Sequence, residues 1–263
     1  MNEDVSVNNS TPSRGPTEDK NPASHTYGTT EKVSRIRATI ARRMLESLRV
    51  SAQLTATVEV DLSGISEIRN AEKAAFKARE GAGLSYLPFI TKAATEALQQ
   101  FPKLNATLDL EAGLINYPEA ENIGIAVDTP RGLLVPVIPN AGVQSITELA
   151  LSIGDVAARA QSGKITAADL SGGSFTITNY GSVGTLMDTP IVNQPQVAIL
   201  GTGALVRRPI VANDPQLGET IVIRDMMYLS LSYDHRLVDG ADAARFLTHM
   251  KQRLETADFS LRN

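Results

Sequence analysis

The sequence predicts an α/β domain built on a mixed sheet, and three observations carry that reading. Segments with apolar residues three and four apart alternate along the chain with segments in which every second residue is apolar. Several alternating segments follow one another across Gly- or Pro-containing turns, so hairpin pairs accompany crossovers and a purely parallel sheet fits less well. The third observation is size: 263 residues, 42% hydrophobic and 21% charged, leave room for a sizeable core in one large domain. The sequence contains no internal repeat.

In chain order, Ile36, Ile40, Met44, Leu45 and Leu48 recur at helical spacing behind Ser34, a capping residue type. Leu54, Ala56, Val58 and Val60 alternate as a half-buried strand does. Helices are predicted over residues 64–79 and 87–100, the second stopped near Pro102, and strands over 106–110, 113–117, 122–127 and 133–138. Ser145 and Glu148 form a capping box ahead of Leu149, Ile153, Val156 and Ala160, with Gly163 closing that helix and Thr166 and Asp169 marking a further helical turn. Strands at 175–179, 196–200, 204–211, 220–224 and 227–233 precede a last helix over 241–254, with Phe246, Leu247, Met250 and Leu254 on one face.

Composition excludes several classes. Twenty-five basic against 29 acidic side chains give a net charge of −4, which implies no basic surface for nucleic acid. Without cysteine there is no disulfide scaffold, Cys-ligated zinc, iron–sulfur cluster or cysteine nucleophile. The first residues hold no apolar leader, and no continuous apolar run approaches the roughly 18 residues of a membrane span, so a cytoplasmic protein without membrane association is expected. Residues 1–30, rich in Ser, Thr, Asn, Pro and charge, read as a disordered linker or tail, leaving 31–263 as the folded domain.

Three histidines narrow the search for a base that works near neutral pH. His25 lies in the tail, and His249 sits beside the buried stripe of the last helix. His235 ends a strand in Ser232-Tyr-Asp-His-Arg-Leu-Val-Asp-Gly, just before a helix, where α/β folds present reactive groups. Either Asp239 and Gly240 hold its imidazole in one tautomer, or Asp239 caps the final helix and His235 is an ordinary turn residue. Thr178, in Thr176-Ile-Thr-Asn-Tyr-Gly-Ser-Val-Gly, ends a strand on the face opposite Phe175 and Ile177. Its hydroxyl either donates to a developing oxyanion or belongs to a half-exposed surface threonine. Gly181 and Gly184 match neither a P-loop nor a Gly-x-Gly-x-x-Gly turn, and no Gly-x-Ser-x-Gly elbow occurs. Arg131, in the turn after Pro130, meets an anionic ligand or simply solvent. One promising histidine with scattered carboxylates gives no metal-ligand set, so no metal is expected.

Over residues 32–254 the chain resembles the catalytic core of the dihydrolipoamide acyltransferases of 2-oxoacid dehydrogenase complexes. The most specific piece is Leu231-Ser-Tyr-Asp-His-Arg-Leu-Val-Asp-Gly with the following Ala-Asp-Ala-Ala-Arg-Phe. It is supported by Arg35-Ile-Arg to Ala41-Arg-Arg-Met, Pro102-Lys-Leu-Asn-Ala, Val127-Asp-Thr-Pro-Arg-Gly-Leu, Ser174-Phe-Thr-Ile-Thr-Asn and Thr189-Pro-Ile to Ala198-Ile-Leu-Gly. Chloramphenicol acetyltransferases and condensation domains share His-x-x-x-Asp-Gly but typically carry a second histidine just before it; here Asp234 fills that place, as in the acyltransferase cores. The stretch from Ser34 to Asp61, with Ser51-Ala-Gln-Leu-Thr, is most similar to actinobacterial members acting on pyruvate.

The resemblance implies a two-layer chloramphenicol-acetyltransferase-like fold, a mixed sheet packed by helices, and transfer of an acyl group, most simply acetyl, between lipoamide and coenzyme A. It assigns His235 as general base, Thr178 as oxyanion donor where many relatives carry serine, and Asp239 as an organiser paired with Arg43. Arg131, Asn179 and Gly181 are candidates for holding coenzyme A. It further implies a homotrimer with sites between subunits, the histidine from one and the hydroxyl from its neighbour. The polar final residues, Arg262 and Asn263, argue against assembly beyond the trimer. Neither a lipoyl domain nor a subunit-binding domain is evident, since Asp19-Lys20 lacks the strands that would present a lysine in a hairpin. Either the chain is a fragment of a longer protein, or the lipoyl group arrives in trans, on another chain, alongside the 2-oxoacid dehydrogenase components. Succinyl or branched-chain acyl transfer, a non-catalytic scaffold core, and acetylation of a small hydroxylated acceptor are the alternatives.

Overall fold

The computed structural model describes residues 27–261, so most of the segment read as a disordered tail, His25 included, lies outside the described residues. The body begins with helix α1 (Arg35–Val50), strand β1 (Gln53–Asp61), and helices α2 (Ser63–Glu80) and α3 (Leu87–Gln100). There follow β2 (Thr107–Asp109), β3 (Leu114–Asn116), β4 (Ile123–Ile125), β5 (Val137–Ile138), α4 (Ile146–Gln161) and β6 (Phe175–Asn179). The chain closes with β7 (Ala198–Thr202), β8 (Val206–Asp214), β9 (Gly218–Asp234) and α5 (Gly240–Glu255). Seven strands form one sheet in the order β1-β9-β7-β6-β4-β5, with β8 paired to β9, while β2 and β3 make a separate ribbon. β4, β6 and β7 run parallel and the other pairs antiparallel, so the sheet is mixed as expected.

Local signals place most elements. The capping box at α4 is formed: the Ser145 hydroxyl accepts from the Glu148 amide at 3.2 Å, and the Glu148 carboxylate accepts from the Ser145 amide at 2.7 Å. Asp169 likewise accepts from the Thr166 amide and hydroxyl and from Arg159, which together hold its carboxyl down to about 2, the Arg159 contact contributing most.

Two elements differ from the sequence reading. The strand expected over 133–138 is reduced to Val137–Ile138, because Pro136 has no amide to donate and the preceding residues turn back at Thr129, whose hydroxyl donates to the Gly132 carbonyl at 2.7 Å. The strands expected at 220–224 and 227–233 are one, since Asp225 and Met226 stay in register with Arg207 and Val206 of β8.

The sheet has two unlike faces. Phe175, Ile177, Ala198, Leu200, Leu229 and Leu231 point to one side, where Phe246 of α5 meets Phe101 and Phe175 at centroid distances of 6.2 and 6.1 Å. That apolar layer, with Phe89 and Leu98 of α3 and Leu149 of α4, is the core. On the other side the alternate residues form two rows across four strands, each with three hydroxyls: Thr176, Ile199, Ser232 and Thr55, then Thr178, Gly201, Ser230 and Thr57. Thr55 and Ser232 are hydrogen-bonded at 2.7 Å, and Thr57 and Ser230 at 3.1 Å.

Candidate active site

His235 is the first residue past the C-terminal end of β9, exposed, in the turn that leads to α5. Its amide donates to the Ala52 carbonyl at 2.8 Å, and its ring lies 5.8 Å from that of Tyr233. Among the described residues its imidazole makes no hydrogen bond within the chain, so it faces solvent rather than packed hydrocarbon. The residue before it is fully buried: the Asp234 carboxylate receives the Arg236 guanidinium in a fork, the shortest contact 2.6 Å. That fork holds Arg236 firmly in its charged form.

Asp239 takes the N-cap position of α5 in extended backbone, and its carbonyl accepts from the Ala243 amide at 3.1 Å, yet its side chain makes no capping bond. Asp239 thus holds the cap position expected of it, but through its backbone alone. The pairing with Arg43 is not made within the chain either: Arg43 lies on α1 and lines a cleft of about 500 Å³ with Met44, Gln194 and Gln196. Among the described residues neither side chain has an ion-pair partner, so both remain available.

Thr178 ends β6, half-buried, in the second hydroxyl row. Its side chain has no hydrogen bond among the described residues, which leaves the hydroxyl free to donate. Next to it the ring of Tyr180 lies against Gly201, where a Cβ would come within 2.4 Å of the ring. Burial pushes the Tyr180 phenol above its ordinary value, an effect its contact with Ser230 partly offsets.

Asn179 and Gly181 line a cavity of about 220 Å³ with Tyr86, Thr202 and Met227, at the same end of the sheet as Thr178. Gly181 has a backbone reason to be glycine: a Cβ there would sit 2.1 Å from the Gly203 carbonyl. Gly181→Ala is expected to destabilise the fold by about 1–3 kcal/mol, read as a lower urea midpoint. The Asn179 carboxamide is committed to its own turn, accepting from the Ser182 amide at 3.2 Å. Arg131 stands apart from that cavity, its guanidinium 3.4 Å from where a Gly163 Cβ would lie. His249 packs edge-on to Phe101 at 6.1 Å, as its place beside the buried stripe suggested.

The register measures what the sequence could not. Thr178 pairs with Gly201 and Gly201 with Ser230, so His235 lies five residues further along the strands, roughly 17 Å at about 3.3 Å per residue. Within one chain the imidazole and the threonine hydroxyl occupy opposite ends of the same sheet. The hydroxyl rows between them were missed by the sequence reading, although Thr55 and Thr57, Thr176 and Thr178, and Ser230 and Ser232 all recur at the strand period of two.

Comparison with known proteins gives a family, two relatives and two solved structures. A family model described as "2-oxoacid dehydrogenases acyltransferase (catalytic domain)" matches residues 26–261. The dihydrolipoyllysine-residue acetyltransferase component of the pyruvate dehydrogenase complex of Mycobacterium bovis is 53% identical over 89% of this chain, and the chain spans 42% of that relative's length. The corresponding succinyltransferase component of the 2-oxoglutarate dehydrogenase complex of Pseudomonas aeruginosa is 43% identical over 85% of this chain and 53% of its own length. Among solved structures, a probable dihydrolipoamide acetyltransferase from Listeria monocytogenes superposes with a TM-score of 0.83 at 38% identity, covering 90% of this chain and 97% of that one. A chloramphenicol acetyltransferase, 15% identical with a TM-score of 0.51 over 82% of this chain and 93% of its own, shares the fold.

Proposed function

Given that the chain belongs to the family of 2-oxoacid dehydrogenase acyltransferase catalytic domains, we propose that it transfers an acetyl group between lipoamide and coenzyme A at a site completed by two copies of itself. The observation that carries this reading is the separation of His235 and Thr178, whose side chains are uncommitted at opposite ends of one sheet. A site using both needs the His235 end of one copy against the Thr178 end of another, and a closed threefold ring supplies that contact once per chain. The preference for acetyl rests on the greater identity to the acetyltransferase relative than to the succinyltransferase one.

In this reading residues 31–263 form the catalytic domain of a cytoplasmic homotrimer. Coenzyme A and a lipoyl group, brought in trans by the chain that works with the dehydrogenase components, are its substrates. The His235 imidazole takes the proton of the coenzyme A thiol as sulfur attacks the thioester carbon of acyl-dihydrolipoamide. The carbonyl oxygen gains the electron pair and receives a hydrogen bond from Thr178 of the neighbouring copy. Collapse re-forms the carbonyl and breaks the bond to the lipoyl sulfur, which takes the proton back from the imidazolium. Asp239 and Arg43, unpaired among the described residues, orient the loop once copies associate. We assign coenzyme A to the cavity beside Thr178, against Gly181 and the free amide hydrogens of Asn179, whose carboxamide oxygen serves its own turn, while Arg131, apart from that cavity, is assigned only a distant anionic part of the same ligand.

Mixed assembly tests this. His235→Ala and Thr178→Ala chains, each inactive alone, are co-expressed and assayed for transfer from acetyl-coenzyme A to dihydrolipoamide. A two-copy site restores activity in roughly a quarter of the sites at equal, random mixing. A mixture as inactive as its parents means that both residues act in one chain or in none, and faster transfer from succinyl-coenzyme A overturns the acyl assignment.

Helix α1 and the β8–β9 ribbon carry apolar side chains that a second copy can cover. Leu45 and Leu48 on the helix and Val211, Ile221 and Ile223 on the ribbon are all exposed. No helix among the described residues is long and apolar enough to cross a membrane.

A further inference from the structure

The buried carboxylate beside the base has no task in acyl transfer as written above, and its bonds are unusually complete. Asp234 has a side chain 2% exposed. One carboxylate oxygen accepts from the Ala52 amide at 3.2 Å and the Arg236 amide at 3.1 Å, and the two oxygens share the Arg236 guanidinium at 3.0, 3.0 and 2.6 Å. An ionised carboxylate this far from water is costly unless every lone pair is answered, and here it is.

The same bonds surround the main chain of His235. The Asp234 amide donates to Val197, the His235 amide to Ala52, and the Leu237 and Val238 amides to the Asp234 carbonyl. Ala52 is therefore tied twice, its amide to the carboxylate and its carbonyl to His235. Ala52 is itself fixed by its neighbours. The Ser51 hydroxyl donates to the Ser47 carbonyl, the Gln53 amide group to the Ser47 and Ser51 hydroxyls at 2.9 Å each, and the Ser47 hydroxyl to the Val192 carbonyl. The anchor thus extends from α1 through the start of β1 to the loop before β7. An arginine suits it better than a lysine, because only a planar fork answers both carboxylate oxygens at once.

We infer that Asp234 and Arg236 are positioning residues for acyl transfer, a clamp that fixes the backbone of His235 so that its otherwise unsupported imidazole stands at the mouth of the shared site. This rests on the reading of His235 as the base. The clamp acts through geometry alone and touches neither substrate. Its worth lies in the steepness with which proton transfer falls off once the base is displaced by about an ångström.

The test uses the whole chain. Asp234→Asn keeps the side chain's shape but turns amide hydrogens toward the guanidinium, Arg236→Met keeps its length without charge, and Arg236→Lys keeps charge without the fork. For Asp234→Asn and Arg236→Met the expected result is a kcat lower by about 10- to 100-fold with KM for coenzyme A within roughly threefold, at unchanged oligomeric size. Arg236→Lys is expected to recover part of the loss, which a charge-blind packing role would not produce. A kcat within roughly twofold of the parent in all three overturns the clamp. If Asp234→Asn fails to fold, the two Arg236 variants decide alone: equal kcat for lysine and methionine counts against it. His235→Ala is measured in parallel. Activity surviving there sinks the base itself, whereas loss there with unaffected clamp variants sinks only the clamp.

Discussion

His235→Ala is expected to lower kcat for acetyl transfer by about 10²–10⁴-fold, the largest effect of any single substitution in this chain. The thiol of coenzyme A is a poor nucleophile until its proton is removed, and the described residues near His235 supply no substitute base. Asp234 is buried and shared among three donor groups, while Asp239 is a carboxylate at the head of a helix, a far weaker base than an imidazole. Because the imidazole makes no hydrogen bond among the described residues, its removal leaves no buried partner unsatisfied there, and the thermal midpoint should stay within about a degree. Stopped assays that separate binding from turnover should show retained affinity for coenzyme A. Near-parental kcat in a variant that is folded and assembled would remove the base from the mechanism.

Thr178→Val is expected to cost about 10²–10³-fold in kcat while leaving KM nearly unchanged. Valine preserves the branched shape and the restricted χ1 of threonine on a strand, so the substitution deletes the donor and little else. Thr178→Ser should retain most of the activity, since it keeps the hydroxyl and loses one methyl. An oxyanion donor works only as charge develops on the carbonyl oxygen, so the loss belongs in turnover rather than in binding. Equal losses for valine and serine would reassign Thr178 from donor to packing residue. A rise in KM alone would make it a binding group.

The two faces of the sheet explain how much could be read in advance. Phe175 and Ile177 alternate with Thr176 and Thr178, and that alternation alone places Thr178 on the face away from the core. Capping chemistry likewise fixed the start of α4, because Ser145 and Glu148 answer each other's amides within a single turn. The reading failed where continuity depended on a distant neighbour. Asp225 and Met226 look like a break between two strands, yet pairing with Arg207 and Val206 carries β9 straight through them. Leu133 and Leu134 look like the start of a strand, yet only Leu134 pairs, exchanging both backbone bonds with Val127, and Pro136, without an amide, leaves that bridge separate from β5.

The motif around His235 and the strand ending at Thr178 were therefore legible as pieces, since side-chain period, capping and turn chemistry act over a few residues and leave a local trace. How far apart the pieces lie was not legible. That distance follows from strand order and register, which are set by hydrogen bonds between segments dozens of residues apart in the chain. The same holds for the Asp234 clamp, whose partner amide at Ala52 lies 182 residues away, and for Gly181, which must be glycine because the backbone of Gly203 passes against it. Sequence alone determined which groups have the chemistry. Only the folded sheet decided that one chain separates them, because long-range pairing, not local pattern, sets distance.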